Sequence, residues 1–189
     1  MGKIFWLDLE TTGLEPRANG ICQFAGLVEL NGEIVEEIYV PALKPFPADR
    51  IDAKALEVNG LTREELNDGL DPRAFHRQLC EQLGVYVDKY NKVDKFVLAG
   101  YNVAPFDSQF LRAFFTKCGD KFFGSWFYGA QLDIMSFVAE AIARGSIAVL
   151  NNHKLGTVCQ HCGIDLVAHN ALEDVKATRR VYQFLRASR

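Results

Sequence analysis

The sequence predicts an α/β fold in which helices cover a mixed sheet, and two observations support this. Three short segments rich in β-branched and aromatic residues open the chain, with the turn pair Asn31-Gly32 between the second and third. From about residue 51 the apolar residues recur at helical spacing, and strand-like and helical segments then alternate. An antiparallel opening followed by such alternation is typical of a mixed sheet packed against helices.

The strands are predicted from short runs of β-branched, aromatic and other apolar residues. The first three are expected at residues 3–9, 22–30 and 33–40, and the last two of these form a hairpin. The sequence FVLAG at 96–100 is typical of a buried strand, and a fifth strand-like segment covers 126–132.

The helices are predicted from apolar residues three or four positions apart. A short helix begins near residue 51 and ends before Gly60, and a longer one starts at Asp71-Pro72. Further helical segments carry Phe110 to Phe115 or lie around 133–144, 154–162 and 171–187. Because no repeat or linker divides the chain, residues 1–189 are expected to form one domain.

Composition and charge limit the class of protein. The chain is 49% hydrophobic, which supplies a core, and its net charge of −3 gives no overall basic surface. Carboxylates that hold cations count as negative in a sequence, so this balance does not exclude nucleic-acid binding. There is no export-signal pattern, and no apolar run approaches the roughly 20 residues of a membrane span. With five cysteines and one close pair, we expect a cytoplasmic protein with free thiols and no membrane association.

Acidic residues in three separate motifs are the candidate catalytic residues. Asp8 and Glu10 lie two positions apart at the end of the first strand, so their side chains project from the same face. Asp107 lies near the start of a helix after the strand at 96–100. Asp174 lies on the last helix. His169 is expected in the loop before it, because residues five apart on one helix would lie about 140° apart.

Each motif alone has an ordinary explanation, namely a solvated strand end, a helix-start acid or a surface histidine. In one cavity, however, four carboxylates would repel one another unless cations neutralised them. Oxygen ligands without thiolates favour Mg²⁺ or Mn²⁺ over zinc. Two such ions roughly 3.5–4 Å apart can activate a water for attack on a phosphodiester, and His169 would take its proton. The combination therefore indicates a metal-dependent phosphodiesterase site.

Five segments together follow a known pattern of motifs. They are DLETTGL at 8–14, AKALEVNGLTREEL at 53–66, GYNVAPFDSQFL at 100–111, HKLGTVCQHCGI at 153–164 and HNALEDVKAT at 169–178. In this order they resemble the DnaQ-like 3′–5′ exonucleases of the histidine (DEDDh) branch. The resemblance implies a ribonuclease H-like three-layer α/β/α fold with a central five-stranded mixed sheet. It also implies that single-stranded DNA or RNA is hydrolysed from the 3′ end to nucleoside 5′-monophosphates, in proofreading or nucleic-acid processing.

The same resemblance assigns roles to individual residues. Asp8, Glu10, Asp107 and Asp174 correspond to ligands of two Mg²⁺ or Mn²⁺ ions, and His169 to the general base. The substrate-binding positions it implies are Thr11, Thr12, Leu14, Asn59 and Asn102. Leu14 is expected to pack against the terminal base. Two departures from the family pattern are Asn59, where many members have histidine, and Pro105, which looks like an insertion in the second motif.

The expected partner is the 3′ end of a single-stranded nucleic acid, with a DNA polymerase or a second copy of the chain as open alternatives. Two other functions remain open. One is a non-catalytic module that holds a 3′ end or docks on a polymerase, although pure binding would not need all five of the acid and histidine positions. The other is a phosphodiesterase acting on very short oligonucleotides.

Three further features also have two explanations. Cys159 and Cys162 have the spacing of half a zinc site, but without a second ligand pair an amphipathic helix is favoured. The aromatic segment 122–128 fits buried packing better than a base-stacking platform. Asp133 lies either beside the active site or at a helix N-cap.

Overall fold

The structure, a computed structural model, describes residues 2–166 and 170–187. Its strands are β1 (Lys3–Thr11), β2 (Ile21–Leu30), β3 (Glu33–Val40), β4 (Phe96–Gly100) and β5 (Phe127–Asp133). They form one sheet in the order β3-β2-β1-β4-β5. The β1–β2 and β2–β3 pairs are antiparallel, whereas β1–β4 and β4–β5 are parallel. The predicted mixed sheet is confirmed, and each strand lies within about two residues of its predicted bounds.

The helices follow the predicted order, with two additions. They are α1 (Ala53–Asn59), α2 (Arg63–Asn67), α3 (Pro72–Tyr86), α4 (Asp107–Lys117), α5 (Phe123–Trp126), α6 (Ile134–Ala143), α7 (Leu155–Cys162) and α8 (Ala171–Ala187). The sequence prediction missed α2 and α5, which are too short to show a helical period. A capping box between Thr62 and Glu65 stabilises the start of α2, and that signal is readable in the sequence.

The two faces of the sheet pack against different helices. On β1, Phe5, Leu7 and Leu9 belong to the core that contains the apolar residues of α3 and α4. Trp6, on the opposite face, packs in the core formed with α6, α7 and α8. This arrangement confirms the predicted three α/β/α layers. Because side chains alternate along a strand, Asp8 and Glu10 lie on the same face as Trp6, toward α8.

A buried ion pair fixes α8 on the sheet. The Arg179 Nε donates to Glu29 Oε2 at 2.6 Å, and Trp6 Nε1 donates to the same oxygen at 3.1 Å. A further Arg179 nitrogen, Nη2, donates to the carbonyl of Gly32 at 2.7 Å. Since the Glu29 residue is only 7% exposed, this charge is well compensated rather than solvated. The pair sets both the position and the rotation of the helix that carries Asp174.

The β2–β3 hairpin turns at the predicted residues. Asn31 has φ 54° and Gly32 has φ 94°, so both lie in the left-handed region. Positive φ at both central positions is the requirement of the type I′ turn, which glycine and asparagine meet at low cost. All five cysteines are free thiols. In the described residues no helix combines the length and apolar character needed to cross a bilayer.

Candidate active site

Acidic side chains from three distant segments converge where β1 and β4 end. Carboxylate oxygens of Asp8, Glu10 and Asp174 lie within 4.8 Å of one another. Asp107, the first residue of α4, lies beside them, and its Oδ1 accepts a hydrogen bond from the Leu9 amide at 2.9 Å. The structure thus brings together all four acids that the sequence singles out. We call them the acidic cluster.

Burial and mutual repulsion raise the pKa values within the acidic cluster. The pKa of Asp8 lies well above its usual value because the residue is desolvated, and the charges of Asp107, Asp174 and Glu10 add to this. Desolvation also raises the pKa of Asp107 well above its usual value, although backbone hydrogen bonds partly oppose the shift. For Glu10, desolvation and the nearby Asp174 raise the pKa to about 7. Positive counter-charges would relieve this repulsion.

The chemistry of the acidic cluster fits hard divalent cations. Its donors are carboxylate oxygens, which Mg²⁺ and Mn²⁺ prefer, whereas zinc sites usually include nitrogen or sulfur. Among residues 2–166 and 170–187, no thiol or imidazole joins the grouping of Asp8, Glu10 and Asp174. The raised pKa values show that the chain alone does not neutralise these acids. The residues present therefore fit a divalent metal centre.

His169, the predicted general base, lies outside the described residues. Asn170, which follows it in the sequence, accepts hydrogen bonds through its side-chain oxygen from the amides of Leu172 and Glu173, at 3.1 and 3.2 Å. Its side-chain nitrogen donates to the Tyr39 hydroxyl at 3.3 Å. The entry to α8 is thus fixed at Asn170, one residue after His169 and four before Asp174.

A cleft of about 390 Å³ opens beside Glu10. Large apolar side chains on its walls face solvent: Leu14 is 77% exposed and Val58 is 50% exposed. Phe106, adjacent to Asp107 in the sequence, is a partly buried part of the same wall. Exposed apolar groups that line a concave surface beside a few polar groups are typical of a ligand-binding site.

Internal hydrogen bonds hold the turn that follows β1. The Thr12 hydroxyl donates to the carbonyl of Arg50 at 2.7 Å and accepts from the Gly20 amide at 2.9 Å. The buried Asn19 donates through Nδ2 to the carbonyls of Thr12 and Arg50 at 3.2 and 3.0 Å. At Gly13 a side chain is impossible without rearrangement, because a Cβ there would lie 2.3 Å from Asn19 Nδ2. These contacts fix the path of the chain into the cleft.

The predicted substrate-binding residues lie in different environments. Thr11, Leu14 and Asn59 line the cleft, although the Asn59 Nδ2 points inward and donates to the Thr11 carbonyl at 2.9 Å. Thr12 is 0% exposed, and its hydroxyl is engaged in internal hydrogen bonds that hold the turn. Asn102 does not line this cleft and has a left-handed backbone with φ 59°.

Asp133 explains how the backbone at Asn102 is held. Its Oδ1 accepts hydrogen bonds from the amides of Asn102 and Met135, both at 3.1 Å, and its Oδ2 accepts from the Ala104 amide at 3.2 Å. The residue is therefore the N-cap of α6 and also the anchor of the loop that leads to Asp107. The sequence alone left these two roles as alternatives, and the structure shows a cap that also supports the loop.

Several residues of the site were missed by the sequence prediction. Phe106, Val58 and Lys54 line the cleft but were not named as binding residues. Phe106 directly precedes Asp107, and the other two belong to the segment at 53–66, so membership of the motifs was the available signal. Whether a motif residue faces the cleft depends on the folded backbone, which the sequence does not show.

Packing explains two features that the sequence left open, the Cys159–Cys162 pair and the aromatic segment 122–128. Within the described part of the chain, the Cys159–Cys162 pair belongs to no group of three ligand-type side chains. Val158 and Cys159 are buried on α7, as expected for an amphipathic helix. In the aromatic segment, Phe123, Trp126 and Phe127 are at most 4% exposed, which confirms the prediction of buried packing. Phe122, in the same segment, is 68% exposed.

Comparison with known proteins places this geometry among the exonucleases. A model of the exonuclease family RNase T matches residues 5–182. The chain is 29% identical over 177 residues to the PolC-type DNA polymerase III of Thermotoga maritima, and this match covers 93% of the chain and 11% of that protein. For the PolC-type enzyme of Halalkalibacterium halodurans, the identity is 28% over 172 residues, or 90% of the chain and 10% of the polymerase. The chain thus spans about a tenth of these relatives.

Solved structures share the fold at low sequence identity. Escherichia coli exonuclease I in complex with a dT13 oligonucleotide superposes with a TM-score of 0.82 at 21% identity, over 100% of this chain and 42% of that one. Exonuclease I from Methylocaldum szegediense gives a TM-score of 0.80 at 24% identity, over 99% and 41%. A further E. coli complex with single-stranded DNA is a zinc-bound form, with a TM-score of 0.82.

The layers, the strand order and the acids at the strand ends define a protein of the ribonuclease H-like class, and the predicted fold class is confirmed. Since the family model covers most of the sequence, the chain belongs to the RNase T exonuclease family. This membership confirms the predicted relationship to the DnaQ-like exonucleases.

Proposed function

We propose that residues 1–189 act as one exonuclease domain that shortens single-stranded DNA or RNA from the 3′ end and releases nucleoside 5′-monophosphates. The observation that carries this proposal is the acidic cluster, in which oxygens of Asp8, Glu10 and Asp174 lie within 4.8 Å beside an apolar cleft. Membership of the exonuclease family supports the reaction class. The single-stranded DNA bound by E. coli exonuclease I supports the class of substrate.

The acids and His169 have separate roles in this proposal. Asp8, Glu10, Asp107 and Asp174 would hold two Mg²⁺ or Mn²⁺ ions. Such ions would lower the pKa of a water, so that the hydroxide which attacks phosphorus could form near neutral pH, and would stabilise the charge on the leaving oxygen. His169 accepts the proton of that water, a task suited to an imidazole that titrates near neutrality.

The cleft would hold the terminal nucleotide. Leu14, Val58 and Phe106 present apolar surface to a base, and stacking on an aromatic side chain such as Phe106 is typically worth about 1–3 kcal/mol per base. Thr11 and Asn59 line the inner wall, and Thr12 keeps the turn in place without touching the substrate. Asn102 contributes through the loop that Asp133 holds before Asp107.

A direct test uses matched 5′-labelled DNA and RNA strands with Mg²⁺, with Mn²⁺ or with a chelator. We expect a metal-dependent ladder that shortens from the 3′ end, together with free nucleoside 5′-monophosphates. A strand ending in a 3′-phosphate is the control for recognition of the terminal hydroxyl. The Asp8→Asn variant should lose activity, whereas Asp68→Asn, the same change at an exposed residue outside the cleft, should retain it.

Absence of shortening on every single strand with either metal would contradict the proposal. If the chelated protein then bound a 3′ end as tightly as the metal-loaded protein, a non-catalytic module would be the better explanation. A series of substrate lengths separates an enzyme for very short oligonucleotides, whose rate would fall as the strand grows.

The similarity to segments of PolC-type polymerases supports a DNA polymerase as partner. Analytical ultracentrifugation of the chain alone and mixed with such a polymerase tests this. A faster boundary only in the mixture supports the polymerase, and a concentration-dependent mass of the chain alone supports self-association.

A further inference from the structure

A second group of ligand-type side chains lies apart from the acidic cluster. His76 and Cys80 are one turn apart on α3, and Asp120 follows the end of α4. One ligand atom from each lies within 4.8 Å of the others. Asp107 begins α4 and Asp120 lies beyond its end, so about 16 Å of helix separates this group from the acidic cluster. We call it the His–Cys–Asp group.

The interatomic distances in this group match those around a zinc ion. His76 Nε2 lies 3.1 Å from Asp120 Oδ2 and 3.6 Å from Cys80 Sγ. A tetrahedral zinc with Zn–N and Zn–O distances of about 2.0 Å and Zn–S of about 2.3 Å sets its ligands about 3.3 Å (N to O) and about 3.5 Å (N to S) apart. The two distances from His76 Nε2 thus fit two edges of such a polyhedron, and the third pair, Cys80 and Asp120, lies within 4.8 Å.

Hydrogen bonding alone explains this convergence less well. Both short contacts are made by a single imidazole nitrogen, which acts either as a donor or as an acceptor. If His76 Nε2 carries a proton for Asp120, it cannot also accept one from the Cys80 thiol, whose sulfur can then only share that N–H as a weak acceptor. A shared cation satisfies all three groups at once.

The ligand atoms are held in place by their surroundings. The His76 ring packs edge-on against Phe115, with ring centroids 4.7 Å apart. Asp120 accepts a hydrogen bond from the Phe122 amide through Oδ1 at 2.7 Å, which turns Oδ2 toward the histidine. The His76 and Asp120 side chains are 13% and 18% exposed. All three ligand residues line a cleft of about 740 Å³, so an ion has a route of entry.

We propose that His76, Cys80 and Asp120 bind one Zn²⁺ ion, with the fourth coordination position open to the adjacent cleft. Zinc accepts mixed nitrogen, sulfur and oxygen ligands, whereas the acidic cluster offers only oxygen. The ion joins α3 to the segment after α4. On binding, the Cys80 thiol loses its proton to solvent and the sulfur bonds to zinc as a thiolate.

The pKa shifts of two of the free ligands have opposite effects on metal binding. Burial lowers the pKa of His76, which favours the neutral imidazole that metals require, and Asp120 partly opposes the shift. Desolvation raises the pKa of the Cys80 thiol to about 12, so the metal must displace its proton. Zinc affinity is therefore expected to rise with pH.

Cobalt is the probe, because thiolate ligation gives Co²⁺ an intense near-ultraviolet charge-transfer band that carboxylates alone do not. We expect one equivalent of Co²⁺ to produce this band in the full chain and Zn²⁺ to abolish it. The Cys80→Ser variant should lose the band, and its zinc affinity should fall by at least about 10–100-fold, since even outer-shell changes cost that much. Cys162→Ser, a change at another half-buried cysteine on α7, should keep the band.

Circular dichroism checks the fold of each variant. If Cys80→Ser fails to fold, Asp120→Asn tests the same ligand set. The same loss of zinc affinity is expected for Asp120→Asn. The proposal is overturned by a wild type without the band, by a band undiminished in Cys80→Ser, or by an unchanged zinc affinity in Asp120→Asn. Because the acidic cluster lacks sulfur, Asp8→Asn should leave the band intact. The outcome is thus independent of the exonuclease proposal.

Discussion

The end of β1 and the turn that follows it are two adjacent regions of opposite character. At Asp8 and Glu10, like charges are brought together and their pKa values rise. A few residues later, at Thr12 and Asn19, buried polar groups find partners within the protein. The first region is destabilised by its own charges, and the second is stabilised by its hydrogen bonds. The proposed functional residues are thus distinguished by the mutual repulsion of their charges, because buried polar groups occur in both regions.

The sharpest test of this contrast is Asp8→Asn, for which activity and stability should change in opposite directions. Loss of a metal-ligating carboxylate should lower kcat by about 10³-fold or more, equivalent to about 4 kcal/mol. Removing one of the repelling charges should leave the free energy of unfolding unchanged or raise it by about 1 kcal/mol in chelator. Steady-state rates and thermal unfolding measure both. A large loss of stability would show that Asp8 is a structural residue.

In the second region, Thr12→Val should produce the reverse pattern. The change leaves the buried Gly20 amide without its hydroxyl partner and should cost about 2 kcal/mol, or about 4–8 °C in Tm. Well below the new Tm, kcat/KM should stay within about threefold, because Thr12 is not exposed to substrate. Thr116→Val, at an exposed threonine, is the control. A fall in kcat/KM at unchanged Tm would instead indicate that Thr12 contacts the substrate directly.

Leu14 lies in the turn that follows β1, but its side chain faces the cleft and should affect binding alone. Its side chain is 77% exposed, so Leu14→Ala should change the free energy of unfolding by less than about 0.5 kcal/mol. Lost apolar contact with the terminal base should lower kcat/KM by about tenfold, equivalent to about 1.4 kcal/mol. Val149→Ala truncates a residue that is 84% exposed away from the cleft and should change neither quantity. If Leu14→Ala and Val149→Ala changed kcat/KM equally, Leu14 would not be a substrate-binding residue.

The most gradual expected effect is the pH dependence of the metal-free protein. Glu10 has a pKa of about 7 in the folded state against 4.5 ordinarily, so between these values the folded state binds more protons. Stability in chelator should therefore fall as pH rises from about 4.5 to 7, by about 1 kcal/mol per unit at most. The difference in Tm between wild type and Glu10→Gln isolates this contribution, and Mg²⁺ should reduce it. An identical pH profile in the variant would contradict the assigned cause.

The strands and the acids were predictable because they follow local rules. Short runs rich in β-branched and aromatic residues mark β1 to β3, and the spacing of Asp8 and Glu10 places both on one face. The direction of the Thr12 hydroxyl was not predictable, since it depends on Arg50 and Gly20, which contact it only in the folded chain. Likewise α2 and α5 are too short for a periodic signal.

The same reasoning explains why the His–Cys–Asp group was missed. His76 and Cys80 have the spacing of two ligands on one helix, but a third ligand was needed before the pair could indicate a metal. Asp120 lies 40 residues beyond Cys80, and only the packing of α4 against α3 brings it close. By contrast, the acidic residues lie in motifs whose order along the chain was itself informative.

The contacts that hold α8 in place determine how this protein should lose activity on heating. Asp174 reaches the other acids only while its helix keeps one angular setting, and Arg179, about a turn and a half further along, holds that setting through Glu29 and the Gly32 carbonyl. Loss of this contact would let α8 rotate and move the Asp174 carboxylate away from the other acids, while the hydrogen bonds between the strands remained intact. Inactivation on heating should then precede the loss of β-structure, and the temperature at which metal is released would limit the working range.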